Sequence, residues 1–225
     1  YAELPRARVA VLPLADPASR SHPGADGRTA ARKQAPRNIH RLKVTLRGSK
    51  PPIWRRFEVP SDISLHRLHT VIQAGFGWQD CHLHVFETAA GQYGIRDPDV
   101  PEVRSDAGKR LSAVADWPGD HFEYEYDFGD SWRHAVTVEA VQQAEPGVAY
   151  PRCTGGKRAG PPEDCGGMPG YYRMLAVLAD PHDEAHHARL ACLGLSSAAD
   201  FDPDRFEVGV VNEDLSGIAR ILVRT

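Results

Sequence analysis

The chain has 225 residues, of which 41% are hydrophobic and 25% are charged, so it is long enough to bury a sizeable core. Its formal net charge of −3 gives no overall basic field for nucleic acid or a membrane surface, although local basic clusters remain open. Four cysteines without a C-x-x-C pair, and no apolar run of membrane-spanning length, predict a cytoplasmic protein with reduced thiols and no membrane association.

The first 37 residues are rich in alanine, arginine and glycine, contain five prolines and show little hydrophobic periodicity. Proline interrupts helices, and a segment with so few periodic apolar residues cannot form a core of its own. We therefore predict a flexible N-terminal extension over residues 1–37 and one folded domain over residues 38–225.

The folded domain begins with two stretches in which apolar and polar residues alternate, from His40 to Leu46 and from Ile53 to Val59. Alternation of this kind predicts half-buried strands, and the intervening glycine and prolines predict a hairpin. A helix follows with Asp62 or Ser64 as its N-cap, and Gly75 and Gly77 end it. The apolar residues of this helix recur at helical spacing, which places His66 and His69 on the solvent face.

A third strand is predicted at residues 82–86, paired with residues 92–95, and the polar residues 96–109 are expected to form a surface loop. The pattern is clearest in the hairpin at residues 124–134. Every second residue from Phe122 to Phe128 is aromatic, and Trp132 and His134 share one face of the return strand. Gly129 tolerates the positive φ that the turn is expected to need.

The segment from Cys153 to Gly167 is rich in glycine, proline and charge, which predicts a long loop beside this hairpin. Apolar spacing after Pro169 predicts a helix that ends before Pro181, a short helix through Cys192 and a last helix from Val208. The fold class is therefore α+β, with a mixed or antiparallel sheet, one helix after the first hairpin and a helical C-terminal part.

The ordered series of these stretches resembles the plasmid pRiA4b ORF-3-like proteins over roughly residues 38–216. The resemblance implies a single α+β domain and a setting among mobile genetic elements, but it implies no reaction. One departure is Ala191-Cys192-Leu193-Gly194, where relatives tend to carry Trp before Leu-Gly. The matching stretches are Pro51–Arg56, Leu65–Trp78, His82–Phe86, Tyr126–His134, Cys153–Gly167 and Phe201–Pro203.

Two sets of side chains carry the candidate chemistry. Carboxylates and imidazoles near the hairpin turn suit a divalent ion such as Zn²⁺, Mg²⁺ or Mn²⁺, although alternation points Asp127 and His134 to opposite faces. Cationic, aromatic and acidic residues on the hairpin and the long loop suit a bound ligand. The metal candidates are His84, Asp127, Asp130 and His134, and the ligand-binding candidates are Arg55, Arg56, Tyr126, Asp130, Trp132, Lys157, Arg158 and Asp164.

Three functions remain open, and whether the protein is an enzyme is undecided. The first is an accessory protein of a mobile element that binds a ligand, nucleic acid or another mobile-element protein in a polar cleft between the 124–134 hairpin and the 153–167 loop. The second is a metal-dependent hydrolase that uses the same cleft, with Glu163 or Asp164 as base. The third is a purely structural or interaction domain. Cys153 and Cys165, together with His84 or His134, form a weaker zinc hypothesis, and the two cysteines are expected to be free, packed thiols.

Overall fold

The computed structural model describes residues 38–96 and 101–223, with the side chains of residues 219–223 left out of the description. The extension predicted at residues 1–37 lies outside the described residues. The strands are β1 (Asn38–Leu46), β2 (Trp54–Pro60), β3 (His84–Thr88), β4 (Gly91–Gly94), β5 (Val103–Ser105), β6 (His121–Tyr126), β7 (Trp132–Gln143) and β8 (Arg152–Lys157). The helices are α1 (Leu65–Phe76), α2 (Gly167–Ala179), α3 (His186–Cys192) and α4 (Val208–Val223), with 3₁₀ turns at Leu111–Ala113 and Ala198–Asp200.

All eight strands join one mixed sheet in the order β5-β4-β3-β6-β7-β1-β2-β8. Neighbouring strands are antiparallel except for the parallel pair of β4 and β5. Helix α1 follows the first hairpin, and the remaining three described helices come after the last strand. The predicted α+β fold with a mixed sheet and a helical C-terminal part is therefore confirmed.

Helix α1 begins and ends where the sequence signals lie. Of the two candidate caps, Ser64 accepts a hydrogen bond from the Arg67 backbone N–H at 3.3 Å. Gly77 ends the helix with φ of 79°, a left-handed conformation that favours glycine. The apolar face of α1 packs into the core through Leu68, Ile72 and other fully buried residues.

The central hairpin pairs β6 with β7, and Tyr124 lies opposite His134. The predicted inward face is buried along both strands. The turn differs from the expectation in two respects. Phe128 is 54% exposed instead of joining the aromatic face, because the strand has already ended. Positive φ falls on Asp127 and Ser131 rather than on Gly129.

Two stretches that were expected to be loops contain strands. Val103–Ser105 extends the sheet beside β4, and the beginning of the 153–167 loop is the edge strand β8. Neither stretch has a strong alternating pattern, so the open edges of β4 and β2 supply the hydrogen bonds that stabilise them. The remaining part of the loop leaves the sheet edge after Lys157.

Substitution of Gly160 tests how closely the part of the loop after Lys157 packs against α1. A Cβ atom at Gly160 would fall well inside van der Waals contact of the backbone oxygen of Phe76. We expect Gly160→Ala to lower the free energy of unfolding by about 1–3 kcal/mol in urea titrations, because backbone atoms must shift. Gly108→Ala is the matched control, since nothing lies within 4 Å of its Cβ. Equal effects of the two substitutions would contradict this packing.

Candidate functional site

Residues 158–166, here called the return segment, cross from the end of β8 to the turn of the central hairpin. Hydrogen bonds from the hairpin and from Trp78 anchor the return segment there. Trp78 Nε1 donates to the Pro161 carbonyl at 2.9 Å, and the Tyr126 hydroxyl donates to Glu163 at 2.8 Å. The Gly166 backbone N–H donates to Asp130 Oδ2 at 3.0 Å. The later half of the 153–167 loop therefore flanks the hairpin tip.

The cleft between the hairpin tip and the return segment contains His82, Asp127 and Asp164, here called the cleft cluster. His82 Nε2 lies 3.0 Å from Asp164 Oδ1 and 3.7 Å from Asp127 Oδ2. The three ligand atoms lie within 4.8 Å of one another. His82 Nε2 is excluded from solvent and has no well-directed hydrogen bond, whereas the Asp164 side chain is 74% exposed. The cluster therefore combines a shielded imidazole nitrogen with an open side toward solvent.

Backbone conformation orients both carboxylates of the cleft cluster. Asp127 and Asp164 have positive φ angles of 56° and 54°, a region that aspartate tolerates better than most residues. Asp127 Oδ1 accepts hydrogen bonds from the backbone N–H groups of Gly129 and Asp130 at 2.9 and 3.3 Å. Its other oxygen, Oδ2, is the one nearest to His82.

A second group of histidines lies between α1 and the sheet. The rings of His69 and His84 stack with centroids 3.6 Å apart and planes within 9°. His69 forms hydrogen bonds with Tyr124 at 2.8 Å and Asp80 at 2.7 Å, and His84 forms one with Asp106 at 2.8 Å. Burial, reinforced by His84, lowers the pKa of His69 to about 4, so His69 is neutral at pH 7.

The histidine pair is poorly arranged for a shared metal ion, although His69, Asp80 and His84 lie within ligand distance of one another. An imidazole lone pair lies in the plane of its ring, and the two ring planes are nearly parallel and separated. One ion cannot lie in both planes. The sequence had placed His69 on the solvent face of α1, but its ring is buried because Tyr124 and Asp80 satisfy both nitrogens.

The structure separates the four residues predicted to bind a metal. Asp127 belongs to the cleft cluster, but His84 stacks on His69 and Asp130 caps the return segment. His134 is fully buried, and neither of its ring nitrogens has a well-directed hydrogen bond. Pairing with Tyr124 turns His134 into the core, so it cannot reach Asp127 beyond the end of the strand.

The predicted ligand-binding cations lie outside the cleft cluster. Arg55 is buried on β2, and Arg56 forms an ion pair with Glu139. Arg158 forms an ion pair with Asp204, and Lys157 lies opposite Trp54 at the sheet edge. These placements correct the expectation of a cationic cleft, because strands β2 and β8 lie three or more positions from β6 in the sheet.

The predicted aromatic surface is also absent from the cleft. Trp132 and Tyr126 are fully buried, so neither offers a face for stacking a base. Burial and the adjacent Glu163 raise the pKa of the Tyr126 phenol well above its usual range, so Tyr126 serves as a hydrogen-bond donor. Among the eight ligand-binding candidates, only Asp164 contributes an atom to the cleft cluster, and Asp130 borders the cleft through its bond to Gly166.

Other polar candidates serve the fold. Cys153 and Cys165 are buried free thiols, and burial raises the pKa of Cys165 to about 12, so its thiol is protonated at neutral pH. His186, at the start of α3, is buried and bonds the Val177 carbonyl at 2.9 Å. Sequence reasoning missed His82 as a site residue; its position two residues before His84, on the same predicted face, was the available signal.

Within the described part of the chain, no helix has both the length and the apolar character needed to cross a membrane.

A family model, a relative of known sequence and a solved structure each match most of this chain. A family model described as plasmid pRiA4b ORF-3-like protein matches residues 38–210. An uncharacterised protein, y4hQ of Sinorhizobium fredii (strain NBRC 101917 / NGR234), is 36% identical over 184 residues, which cover 81% of this chain and 93% of that protein. A solved structure, the protein of unknown function MM3350 from Methanosarcina mazei Go1, is similar with a TM-score of 0.69 and 35% identity. The match covers 78% of this chain and 98% of that chain.

His134 is the basis for a prediction about pH. Burial lowers its pKa to about 3 in the folded state, against 6.5 for an ordinary histidine. The unfolded chain therefore binds a proton that the folded chain does not, and stability falls as the pH drops below about 6.5. From pH 7.5 to pH 5, His134 alone costs about 2 kcal/mol of unfolding free energy.

We expect His134→Phe to remove about 2 kcal/mol of that pH dependence in urea titrations at pH 7.5 and 5. Phenylalanine fits because Phe76, Trp78 and Tyr124 already surround the ring. The exposed His121, changed in the same way, should leave the pH dependence unaltered. An unchanged pH dependence in His134→Phe would contradict a neutral, buried His134.

Proposed function

We propose that this chain, which belongs to the plasmid pRiA4b ORF-3-like family, is a binding protein that holds a divalent metal ion in its cleft cluster. Family membership assigns no activity, so the proposal rests on the geometry of the cleft. The observation that carries it is His82 Nε2, a solvent-excluded nitrogen that faces Asp127 and Asp164 without a well-directed hydrogen bond.

The spacing of the ligand atoms supports this proposal. Two ligand atoms that each lie about 2.1 Å from one ion are about 3.0 Å apart at a right angle and about 3.4 Å apart at the tetrahedral angle. The two distances from His82 Nε2, 3.0 and 3.7 Å, fall around these values.

The ligand types favour particular metals. One imidazole and two carboxylates suit Zn²⁺ or Mn²⁺, whereas Mg²⁺ prefers oxygen ligands and retains several waters. Three protein ligands and the exposed Asp164 leave coordination positions open toward solvent. An anionic oxygen of a ligand would complete the coordination, and this defines the kind of molecule that the cleft would bind.

Two alternatives receive less support from the cleft. Nucleic acid needs cations and exposed aromatic rings, but Arg56 and Arg158 are paired with carboxylates elsewhere. A hydrolase needs a free base near the metal-bound water. Glu163 already accepts hydrogen bonds from the Tyr126 hydroxyl and the Gln79 backbone N–H, so it is engaged in holding the fold. An accessory role in a mobile element remains compatible with metal binding, although no contact of the cleft argues for it.

The metal site can be tested by equilibrium dialysis of chelator-stripped protein against Zn²⁺ and Mn²⁺, with metal content measured by mass spectrometry. We expect one ion per chain. Asp164→Asn should lower the affinity at least about tenfold, because an amide removes the negative charge but retains the size. Asp127→Asn should lower it further, since the side chain is shielded from solvent.

Asp180→Asn is the matched control, because this carboxylate lies after α2 and accepts a bond from the His182 backbone N–H that asparagine can keep. Its metal affinity should equal that of the unmodified chain. Binding that survives both cleft substitutions, or reloaded protein without stoichiometric metal, would exclude the cleft cluster as a metal site.

A further inference from the structure

Arg55 is a buried cation whose hydrogen bonds all go to backbone carbonyls. Its Nε donates to Gly75 at 2.5 Å, and its Nη1 donates to Trp54 at 2.8 Å and Lys157 at 3.1 Å. These three bonds use one N–H of Nε and both of Nη1. Nη2 carries two further N–H groups, and neither finds an acceptor among the described residues.

Among the described residues, no carboxylate forms an ion pair with this cation. The ion pairs formed by described residues do not include Arg55, which is only 2% exposed. The guanidinium lies between the rings of Phe76 and Phe206, 4.9 and 4.4 Å from their centroids. Burial lowers its pKa to about 10, so it keeps its proton at neutral pH. Buried charges in proteins are normally paired, which makes an unpaired one a sign of an absent partner.

Arg55 lines a cavity of about 290 Å³ that is open to solvent on one side. The cavity lies between the end of α1, the turn before α4 and the first turns of α4. Much of its wall is apolar, formed by Phe76, Phe201, Phe206 and the valines Val210 and Val211. Its size corresponds to about ten water molecules at liquid density, which is enough for a small organic molecule.

We propose that this cavity binds a small organic carboxylate with an apolar body, whose carboxylate accepts hydrogen bonds from Arg55. The planar guanidinium presents Nη2 donors to a carboxylate, and the two flanking rings exclude water from the pair. The apolar wall then contacts the rest of the ligand.

The rim of the cavity favours a ligand with a single negative charge. Four carboxylates line the cavity, those of Asp200, Asp202, Glu207 and Asp214, together with Arg205, which forms an ion pair with Glu207. Asp200 accepts bonds from backbone N–H groups of Ser196 and Ser197, so it remains in place as a fixed negative charge. The net negative charge of this rim repels phosphate esters and other polyanions more strongly than a monocarboxylate, which can reach the buried guanidinium of Arg55.

The cavity is separate from the proposed metal site, because none of its lining residues belongs to the cleft cluster. The carboxylate site therefore does not depend on metal binding. It can be tested in the presence of a chelator, so that failure of one proposal leaves the other intact.

The full chain is titrated in the presence of a chelator, once with benzoate and once with benzamide, which is neutral and of equal size. Binding is measured by calorimetry and by the shift of the NMR signal of the Arg55 Nε–H group. We expect benzoate to bind with a dissociation constant of about 0.1–1 mM and to shift that signal, while benzamide binds at least tenfold more weakly. Absence of benzoate binding at about 10 mM, or equal binding of benzamide, would overturn the proposal.

Three variants test whether benzoate binds in the cavity. Arg55→Met keeps the length of the side chain without its charge, and Val210→Trp fills the mouth of the cavity from a half-exposed position on α4. Each substitution should weaken benzoate binding at least tenfold. If Arg55→Met fails to fold, Val210→Trp alone tests whether benzoate binds in the cavity. Arg56→Met, on the opposite face of the same strand and paired with Glu139, is the control and should bind within twofold of the unmodified chain. Undiminished binding by Val210→Trp would place benzoate outside the cavity and overturn the proposal.

Discussion

The hydrogen bonds that hold the return segment against the central hairpin determine the geometry of the cleft cluster. The segment leaves β8, the outermost strand on one side of the sheet, and reaches the tip of a hairpin whose nearer strand, β7, is separated from β8 by two others. Trp78, Tyr126 and Asp130 each anchor it through one bond. Each such bond contributes about 1 kcal/mol net, and leaving a buried partner unpaired costs more. This crossing alone brings Asp164 to His82 and Asp127.

Beneath the cleft, aromatic and imidazole rings pack into a layer that supports the cleft residues. Trp78 stacks on Tyr126 with centroids 5.2 Å apart, and the His69–His84 pair lies on the other side of Tyr126 and Tyr124. Four of the candidate residues, His84, Tyr126, Trp132 and His134, belong to this layer. Some of its polar atoms satisfy one another, as the bonds of His69 to Tyr124 and Asp80 show. Both ring nitrogens of His134 stay without a well-directed bond inside the core, whereas His82 lies at the margin of the layer, where Asp127 and Asp164 approach it.

Local patterns in the sequence were sufficient to predict the hairpins, the extent of α1 and the C-terminal helices, because alternation and helical spacing report which face is buried. They failed where a distant element decides the outcome. His69 looked solvent-facing until Tyr124 and Asp80 provided partners, and β8 becomes a strand because β2 offers an edge. Asp164 was among the candidates, but its partner His82 emerged only from the crossing of the return segment. Arg55 was also named, yet its unpaired burial between two phenylalanines is a tertiary property.

The most direct test of the metal-binding cleft is anomalous diffraction from crystals soaked with Mn²⁺. We expect one strong peak about 2.2 Å from His82 Nε2, Asp127 Oδ2 and Asp164 Oδ1. A peak between His69 and His84 instead, or an empty cleft at saturating Mn²⁺, would contradict it.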